Sequence, residues 1–305
     1  MIQRTLGSSS QSASAMVLGC WRLQQLPQPK LIELIETAHD HGIDCFDHAD
    51  IYADGESESQ FGKALAKMVL PRTDVVLQSK CGIRHGYYDL SKQHILSSVE
   101  ASLQRLQTDY LDILLLHRPD ALMEPDQIAE AFECLKQSGK VRHFGVSNFK
   151  PLQINLLRQR LSMPLIINQM QFGLAHTGMI DSGIHANIHC DSAIDRDSDI
   201  LDFCQLHMIT VQAWSPLQFG MFEGNFIDHP NYAELNQTLD ELAEHYAVSK
   251  SALALAWILR HPANMQVVVG STQATRITQM VKAADITLSR EHWYQLYRAS
   301  GHSLP

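Results

Sequence analysis

Short apolar runs recur along the chain, and segments with helical periodicity separate them. The runs are four to eight residues long and rich in β-branched or large apolar side chains. Such runs are typical of parallel strands that are covered on both faces. The pattern predicts eight strands, over 15–20, 42–49, 73–80, 110–117, 141–148, 165–170, 208–214 and 265–271.

Amphipathic helices are predicted between these strands. Residues 29–42 place apolar side chains at helical spacing and close on Gly42, a residue type that commonly ends helices. Ser91 is a good N-cap for a helix over 91–107, and a further helix is predicted over 126–140. Alternating strands and helices predict a parallel sheet, and the count of eight favours a closed (β/α)8 TIM barrel. An open doubly wound sheet is disfavoured because LGCWRL, not G-x-G-x-x-G, follows the first strand.

Several segments lie outside the eight repeats. The N-terminal IQRTLGSSSQSASAMV predicts a hairpin that caps the bottom of the barrel, with the Gly/Ser run as its turn. Extra helices are predicted over 232–247 and 289–300. The long polar connection 173–199 follows the sixth strand, and loops of this length are usually functional or mobile, so it is either a substrate lid or a partner-binding surface. No linker divides the chain, and we expect a single domain over 1–305.

Composition narrows the class of protein. The net charge of −9 argues against a broad nucleic-acid-binding surface but permits a small basic pocket for a phosphate. Six scattered cysteines without a C-x-x-C spacing predict reduced thiols in a cytoplasmic protein. The chain has neither a secretory apolar region nor an apolar run of about 18 residues, so no membrane association is expected.

Four titratable residues stand at the carboxyl ends of predicted strands, where such barrels place their chemistry. They are Asp47, Tyr52, Lys80 and His117. A phenol has a pKa near ~10, and a nearby ammonium lowers that value. A buried lysine needs a carboxylate partner, which Asp47 supplies. Together they predict a proton donor for a developing alkoxide, which suits reduction of a carbonyl better than acyl transfer.

Each of these residues also has a purely structural interpretation. Asp47 and Tyr52 fit a surface turn, Lys80 an exposed strand end, and His117 the cap of a strand. The coincidence of all four at consecutive strand ends favours the catalytic interpretation.

A metal site is a further alternative. His48 and Asp50 flank Asp47 in CFDHADIY, and a second group of candidate ligands lies in the long connection: His176, His185, His189 and Cys190. The spacing of the second group fits no usual zinc pattern, and Asp47 is better used beside Lys80. We therefore predict no metal.

Ordered motifs along nearly the whole chain resemble the aldo-keto reductase family. They read FDHADIY, SKCG, LLLHRPD, GKVRHFGVSNF, NQ, WSPL and GSTQATRI. Within that family the chain is most similar to a bacterial group of oxidoreductases that share DHADIY, LLLHRPD and GKVRHFGVSNF. The resemblance implies that Asp47, Tyr52, Lys80 and His117 are the catalytic tetrad, with Tyr52 as the general acid, and that NADP(H) is the cofactor.

The resemblance also implies a set of cofactor-binding residues along the strand ends. The set comprises Gly19, Cys20, Trp21, Asp47, Ser147, Asn148, Gln169, Trp214, Ser215, Pro216, Leu217, Gly220, Gly270, Ser271, Thr272, Arg276 and Gln279. In it, Trp214 stands where the family usually stacks a tyrosine on the nicotinamide. Arg276 suits the 2′-phosphate of NADP. Gln279 and Met280 depart from the family's usual acidic and amide residues, which weakens the implied adenine contacts.

The sequence thus predicts an NADP-dependent monomeric enzyme that reduces a small aldehyde or ketone, without nucleic acid or membrane partners. The short tail GHSLP predicts an open pocket. One alternative is a cofactor-bound regulatory or sensor subunit on the same barrel, because fold does not fix function. A metal-dependent hydrolase is disfavoured, since no His-x-His follows the first strand.

Overall fold

A closed barrel of eight parallel strands forms the centre of the protein, in a computed structural model that describes residues 1–305. The strands are β1 Met16–Gly19, β2 Cys45–Asp47, β3 Val76–Cys81, β4 Leu111–Leu116, β5 Val141–Ser147, β6 Leu165–Gln171, β7 Thr210–Trp214 and β8 Gln266–Val269. They follow one another around the barrel in chain order, and β8 pairs with β1 to close it. The predicted TIM barrel and all eight strands are confirmed.

Helices surround the barrel. They are α1 Gln28–Asp40, α2 Glu56–Leu65, α3 Lys92–Leu106, α4 Pro125–Gln137, α5 Pro151–Arg158, α6 Gly178–Ile184, α7 Ile200–Leu206, α8 Ala233–Tyr246, α9 Lys250–Leu259, α10 Ala274–Met280 and α11 Arg290–Ala299. The five predicted helices appear as α1, α3, α4, α8 and α11, and Ser91 caps α3 by accepting a hydrogen bond from the His94 amide. None of the helices combines the length and the apolar character needed to cross a bilayer.

The N-terminal hairpin closes the bottom of the barrel, as predicted. Gln3–Thr5 pairs antiparallel with Ser12–Ser14. Leu6, next to this hairpin, is fully buried and belongs to the apolar cluster inside the barrel. The Gly7 amide donates to Thr210 Oγ1 at 2.8 Å. Gly7 has a φ of +56°, and a Cβ there would lie 2.6 Å from a backbone oxygen of β6, so only glycine fits this contact.

A row of buried amides crosses the barrel interior, and we call it the glutamine chain; it consists of Gln78, Gln169, Gln212 and Gln266. Gln212 Oε1 accepts from Gln78 Nε2 at 2.9 Å and from Gln169 Nε2 at 3.0 Å. Gln212 Nε2 donates to Gln266 Oε1 at 2.9 Å, and Gln266 Nε2 donates to the Ser14 carbonyl at 2.7 Å. Each buried amide therefore has partners, as a stable interior requires.

The long connection 173–199 packs against the C-terminal helix. It contains α6 and a short 3-10 helix, Asp191–Ala193. Tyr297 Oη in α11 donates to Asp181 Oδ1 in α6 at 2.8 Å. Thr177 Oγ1 donates to the same carboxylate and lies 2.8 Å from His302 Nε2 in the tail. No residue of 173–199 lines the large cavity at the barrel mouth, so this connection forms no part of the cavity wall.

Candidate active site

A cavity of about 620 Å³ opens at the carboxyl ends of the strands. Most of the predicted site residues line it: Gly19, Trp21, Asp47, Tyr52, His117, Ser147, Asn148, Gln169, Trp214, Ser215, Pro216, Leu217, Gly270, Ser271 and Arg276. The structure therefore brings residues from strand ends far apart in sequence to one place.

Four residues of the predicted cofactor set lie outside the cavity wall. Cys20 is fully buried behind it, where its thiol points to the Leu18 carbonyl. Thr272 and Gly220 lie in the connections after β8 and β7 without lining the cavity. Gln279 is exposed on α10, whose neighbouring Met280 reaches the cavity instead, because adjacent helical residues point in different directions.

Lys80 lies beneath Tyr52 and links the polar residues of the cavity floor. Its Nζ donates to Asp47 Oδ2 at 2.7 Å, to the His48 carbonyl at 2.8 Å and to Tyr52 Oη at 3.1 Å. The three donors of the ammonium group are thereby all used. Lys80 is only 1% exposed and Asp47 only 2% exposed, so the interpretation of Lys80 as an exposed strand end does not hold.

Two amides hold the other carboxylate oxygen of Asp47. Asp47 Oδ1 accepts from Gln78 Nε2 at 2.5 Å and from Gln169 Nε2 at 3.1 Å. The Asp47 carboxylate thus meets an ammonium on one oxygen and the upper end of the glutamine chain on the other. Gln169 uses its Nε2 inside the barrel, which leaves its Oε1 as the acceptor that remains for a bound ligand.

A strained turn follows Tyr52. The 3-10 turn Tyr52–Gly55 contains Ala53, Asp54 and Gly55 in succession with φ of 49°, 52° and 90°. Non-glycine residues in this region cost roughly 1–2 kcal/mol each, and such strain concentrates at functional sites. A Cβ on Gly55 would lie 2.7 Å from Arg105 Cδ, so the turn is packed tightly against α3. The surrounding packing holds the phenol in place.

Burial and charge together set the protonation of Tyr52 and Lys80. Burial raises the pKa of the Tyr52 phenol, and the charge of Lys80, which lowers it, does not fully offset that effect. Burial lowers the pKa of Lys80, but Asp47 and Tyr52 raise it above its ordinary value. The ammonium acts in the expected direction, yet the expectation that the phenol's pKa falls overall is wrong here. A neutral phenol therefore lies beside a charged ammonium.

His117 lies beside Tyr52 as a neutral imidazole. The two ring centroids are 6.0 Å apart, with the rings nearly perpendicular. Burial, together with the charges of Lys80 and Arg118, holds the pKa of His117 well below its usual range. Its Nδ1 is buried without a hydrogen-bond partner in the protein. The N–H group of a neutral imidazole beside a phenol can donate a hydrogen bond to a carbonyl oxygen.

Asn148 ties together the strand ends on the far side of Tyr52. It adopts a φ of 63°, a conformation in which asparagine is enriched. Its Nδ2 donates to Ser147 Oγ at 2.8 Å, and its Oδ1 accepts from Trp214 Nε1 at 3.0 Å. Hydroxyl and amide groups therefore stand beside the indole of Trp214 on the cavity wall.

The cavity is positively charged within an acidic protein. Arg22, Arg118 and Arg276 line it, and none of them forms an ion pair. Its only carboxylate, Asp47, is paired with Lys80. In a chain of net charge −9, this distribution favours an anionic ligand.

Several cavity residues were missed in the sequence. Arg22 and Arg118 each directly follow a predicted site residue, and this adjacency is the one signal that could have found them. Six of the others come from two small hairpins, Ile83–Arg84 with Tyr87–Tyr88 and Gln218–Phe219 with Gly224–Asn225. The remaining four are Ile51, Val268, Val269 and Met280. In the second hairpin, Phe222 lies 4.9 Å from Trp21 and 6.0 Å from Trp214 between ring centroids. No periodic pattern marks such loops.

The residues weighed as metal ligands do not come together. His48 is fully buried, and burial, aided by the charge of Lys80, lowers its pKa to about 3. In the long connection, His185 is buried while Cys190 is exposed. No group of three or more His, Cys, Asp or Glu side chains is placed to hold a metal ion.

Comparison with known proteins agrees with this geometry. The model of the Aldo/keto reductase family matches residues 15–300. The uncharacterized oxidoreductase YcsN of Bacillus subtilis is 38% identical over 96% of each chain, and a 6-dehydroglucose reductase of Agrobacterium fabrum is 33% identical over 97% of each. A solved aldo-keto reductase from Klebsiella pneumoniae in complex with NADPH matches with a TM-score of 0.77 and 28% identity, over 98% of this chain and 95% of that one. The chain therefore belongs to the aldo/keto reductase family of oxidoreductases.

Proposed function

We propose that the protein is an NADP-dependent reductase that converts a small aldehyde or ketone to an alcohol, with Tyr52 as the proton donor. The observation that carries this proposal is the buried series of hydrogen-bonded groups Asp47, Lys80 and Tyr52 at the cavity floor. In it, Lys80 Nζ lies 3.1 Å from the Tyr52 phenol oxygen.

Each residue of this series has a defined task. Tyr52 holds a proton on Oη at neutral pH, because burial keeps its pKa high. When that proton passes to the carbonyl oxygen, the adjacent Lys80 ammonium stabilises the phenolate that remains. Asp47 keeps the ammonium charged and in position. General acid catalysis of this kind contributes about 100- to 10,000-fold.

The cavity residues fit a nicotinamide dinucleotide. Trp214 offers a flat ring for stacking, and Ser147, Asn148 and Gln169 offer hydroxyl and amide groups beside it. Arg276 lines the cavity without an ion-pair partner and suits a phosphate. The related Klebsiella enzyme was solved with NADPH, which supports the same cofactor here. When bound, NADPH supplies the hydride.

The test compares the wild type with Tyr52→Phe in the oxidation of NADPH by 4-nitrobenzaldehyde. We expect kcat to fall at least about 100-fold, because the phenyl ring cannot donate a proton. NADPH binding, followed by its fluorescence, should not change.

The matched control is Tyr87→Phe, which makes the same chemical change on an exposed hairpin residue that does not line the cavity. A Tyr52→Phe enzyme with the full wild-type rate would contradict the proposal. If the wild type binds NADPH but reduces no aldehyde, the regulatory-subunit interpretation remains.

A further inference from the structure

Arg118 is a cation at the cavity wall without a partner in the protein. It directly follows His117 at the end of β4 and is half-buried. It forms neither an ion pair nor a side-chain hydrogen bond. The next acidic residue along the chain, Asp120, is occupied by the backbone amides of Leu90 and Leu122.

The barrel topology separates Arg118 from the region proposed for the cofactor phosphates. The strands follow chain order around the barrel, so β4 lies opposite β8. Ser215, Ser271 and Arg276 follow β7 and β8, on one side of the mouth. Arg118 follows β4, on the other side, next to His117. It is therefore placed to meet the substrate and not the cofactor.

We propose that Arg118 selects carbonyl substrates that carry a carboxylate, and this proposal rests on the function proposed above. A guanidinium binds a carboxylate through two parallel charge-assisted hydrogen bonds. The titratable groups at the cavity floor do not offer a free positive charge to a carboxylate, because Lys80 is paired with Asp47 and His117 is neutral. A neutral sugar carbonyl, as named for the Agrobacterium relative, is the competing substrate class.

The first experiment compares substrates that differ only in charge. We measure kcat/KM for 3- and 4-carboxybenzaldehyde and for the corresponding formylbenzamides, so that two separations of carbonyl and charge are covered. In the wild type the better carboxylate should exceed its amide by about 10- to 100-fold, as expected for a charged hydrogen-bonded pair. Arg118→Gln should bring this ratio close to one, and added salt should reduce it in the wild type.

Arg84→Gln is the matched control. Arg84 lies on the exposed hairpin near the mouth and carries the same charge, but it does not line the cavity. This variant should keep the wild-type ratio. Thermal unfolding of Arg118→Gln checks its folding, and since Arg118 has no partner in the protein, the midpoint should be unchanged.

A binding measurement separates this proposal from the proposed function. We titrate the enzyme–NADPH complex with 4-(hydroxymethyl)benzoate and with 4-(hydroxymethyl)benzamide and follow tryptophan fluorescence. Tighter binding of the carboxylate, lost in Arg118→Gln, supports the proposal even if no aldehyde is reduced. Equal binding of both compounds would overturn it. So would efficient reduction of neutral D-glyceraldehyde combined with a carboxylate-to-amide ratio of kcat/KM that is the same in Arg118→Gln as in the wild type.

Discussion

Replacing Lys80 by methionine removes the positive charge from a pair whose side chains are 0% and 3% exposed. The Asp47 carboxylate then keeps two amide donors but loses its countercharge in an interior where water cannot replace it. Breaking such a buried pair costs about 3–5 kcal/mol of the free energy of unfolding. Asp47→Asn should cost a similar amount, because it removes the countercharge of Lys80 and sets its own NH2 group against either the Lys80 ammonium or the Nε2 groups of Gln78 and Gln169.

The double variant Asp47→Asn/Lys80→Met should be far more stable than the sum of these losses predicts. It buries two neutral groups of similar volume, and replacing a buried ion pair in this way is often close to neutral. The coupling free energy between the two positions should therefore be at least about 2 kcal/mol. All three variants should lack reductase activity.

The assay is urea-induced unfolding of the wild type, both single variants and the double variant, followed by tryptophan fluorescence. The exposed pair Lys30–Glu33, with side chains 66% and 53% exposed, serves as the control. Its cycle should give a coupling of only about 0.3–0.5 kcal/mol. Additive effects of the two changes at Asp47 and Lys80 would refute the account of a mutually dependent buried pair.

Two further predictions concern side chains that the proposed reaction does not use. The buried His48 has a pKa of about 3 in the folded protein, below about 6.5 when unfolded, so stability present above pH ~6.5 is lost as pH falls towards 3. The urea midpoint of His48→Met should therefore decline less between pH 6.5 and 4 than that of the wild type, and equal declines would exclude this histidine as a cause. Tyr297→Phe removes the hydrogen bond to Asp181 and should cost about 1 kcal/mol. The KM values for aldehyde and NADPH should stay the same; an altered KM would show that the long connection communicates with the cavity.

The strands could be predicted because their burial requires apolar residues at nearly every position. Each barrel strand is covered on both faces and so reads as a short apolar run. The convergence of Asp47, Tyr52, Lys80 and His117 followed from one further rule, that polar residues at successive strand ends meet at one mouth of the barrel. Helix α9 was missed for the opposite reason: KSALALAWIL is buried on nearly every side and shows no amphipathic period.

Other features depend on three-dimensional relations that a single sequence does not contain. The pKa of Tyr52 follows from the balance between its burial and its distance from Lys80. Gln212 stands in an apolar strand, and nothing in its neighbours along the chain indicates three amide partners. Phe222 reaches Trp21 only through the shape of a small hairpin. Cavity residues in loops are therefore the part that sequence reasoning recovers least.

The glutamine chain has a direction, and that direction is decided at the bottom of the barrel. The Ser14 carbonyl can only accept, so it requires the Nε2 of Gln266 and leaves Oε1 to face Gln212. Gln212 must then donate its Nε2 to Gln266, and also to Gln78 Oε1 at 3.1 Å, while its Oε1 accepts from the Nε2 groups of Gln78 and Gln169. Turning any one amide around would set oxygen against oxygen along the row. The N-terminal hairpin thereby determines, through the row of amides, that Asp47 meets N–H groups at the opposite end of the barrel interior.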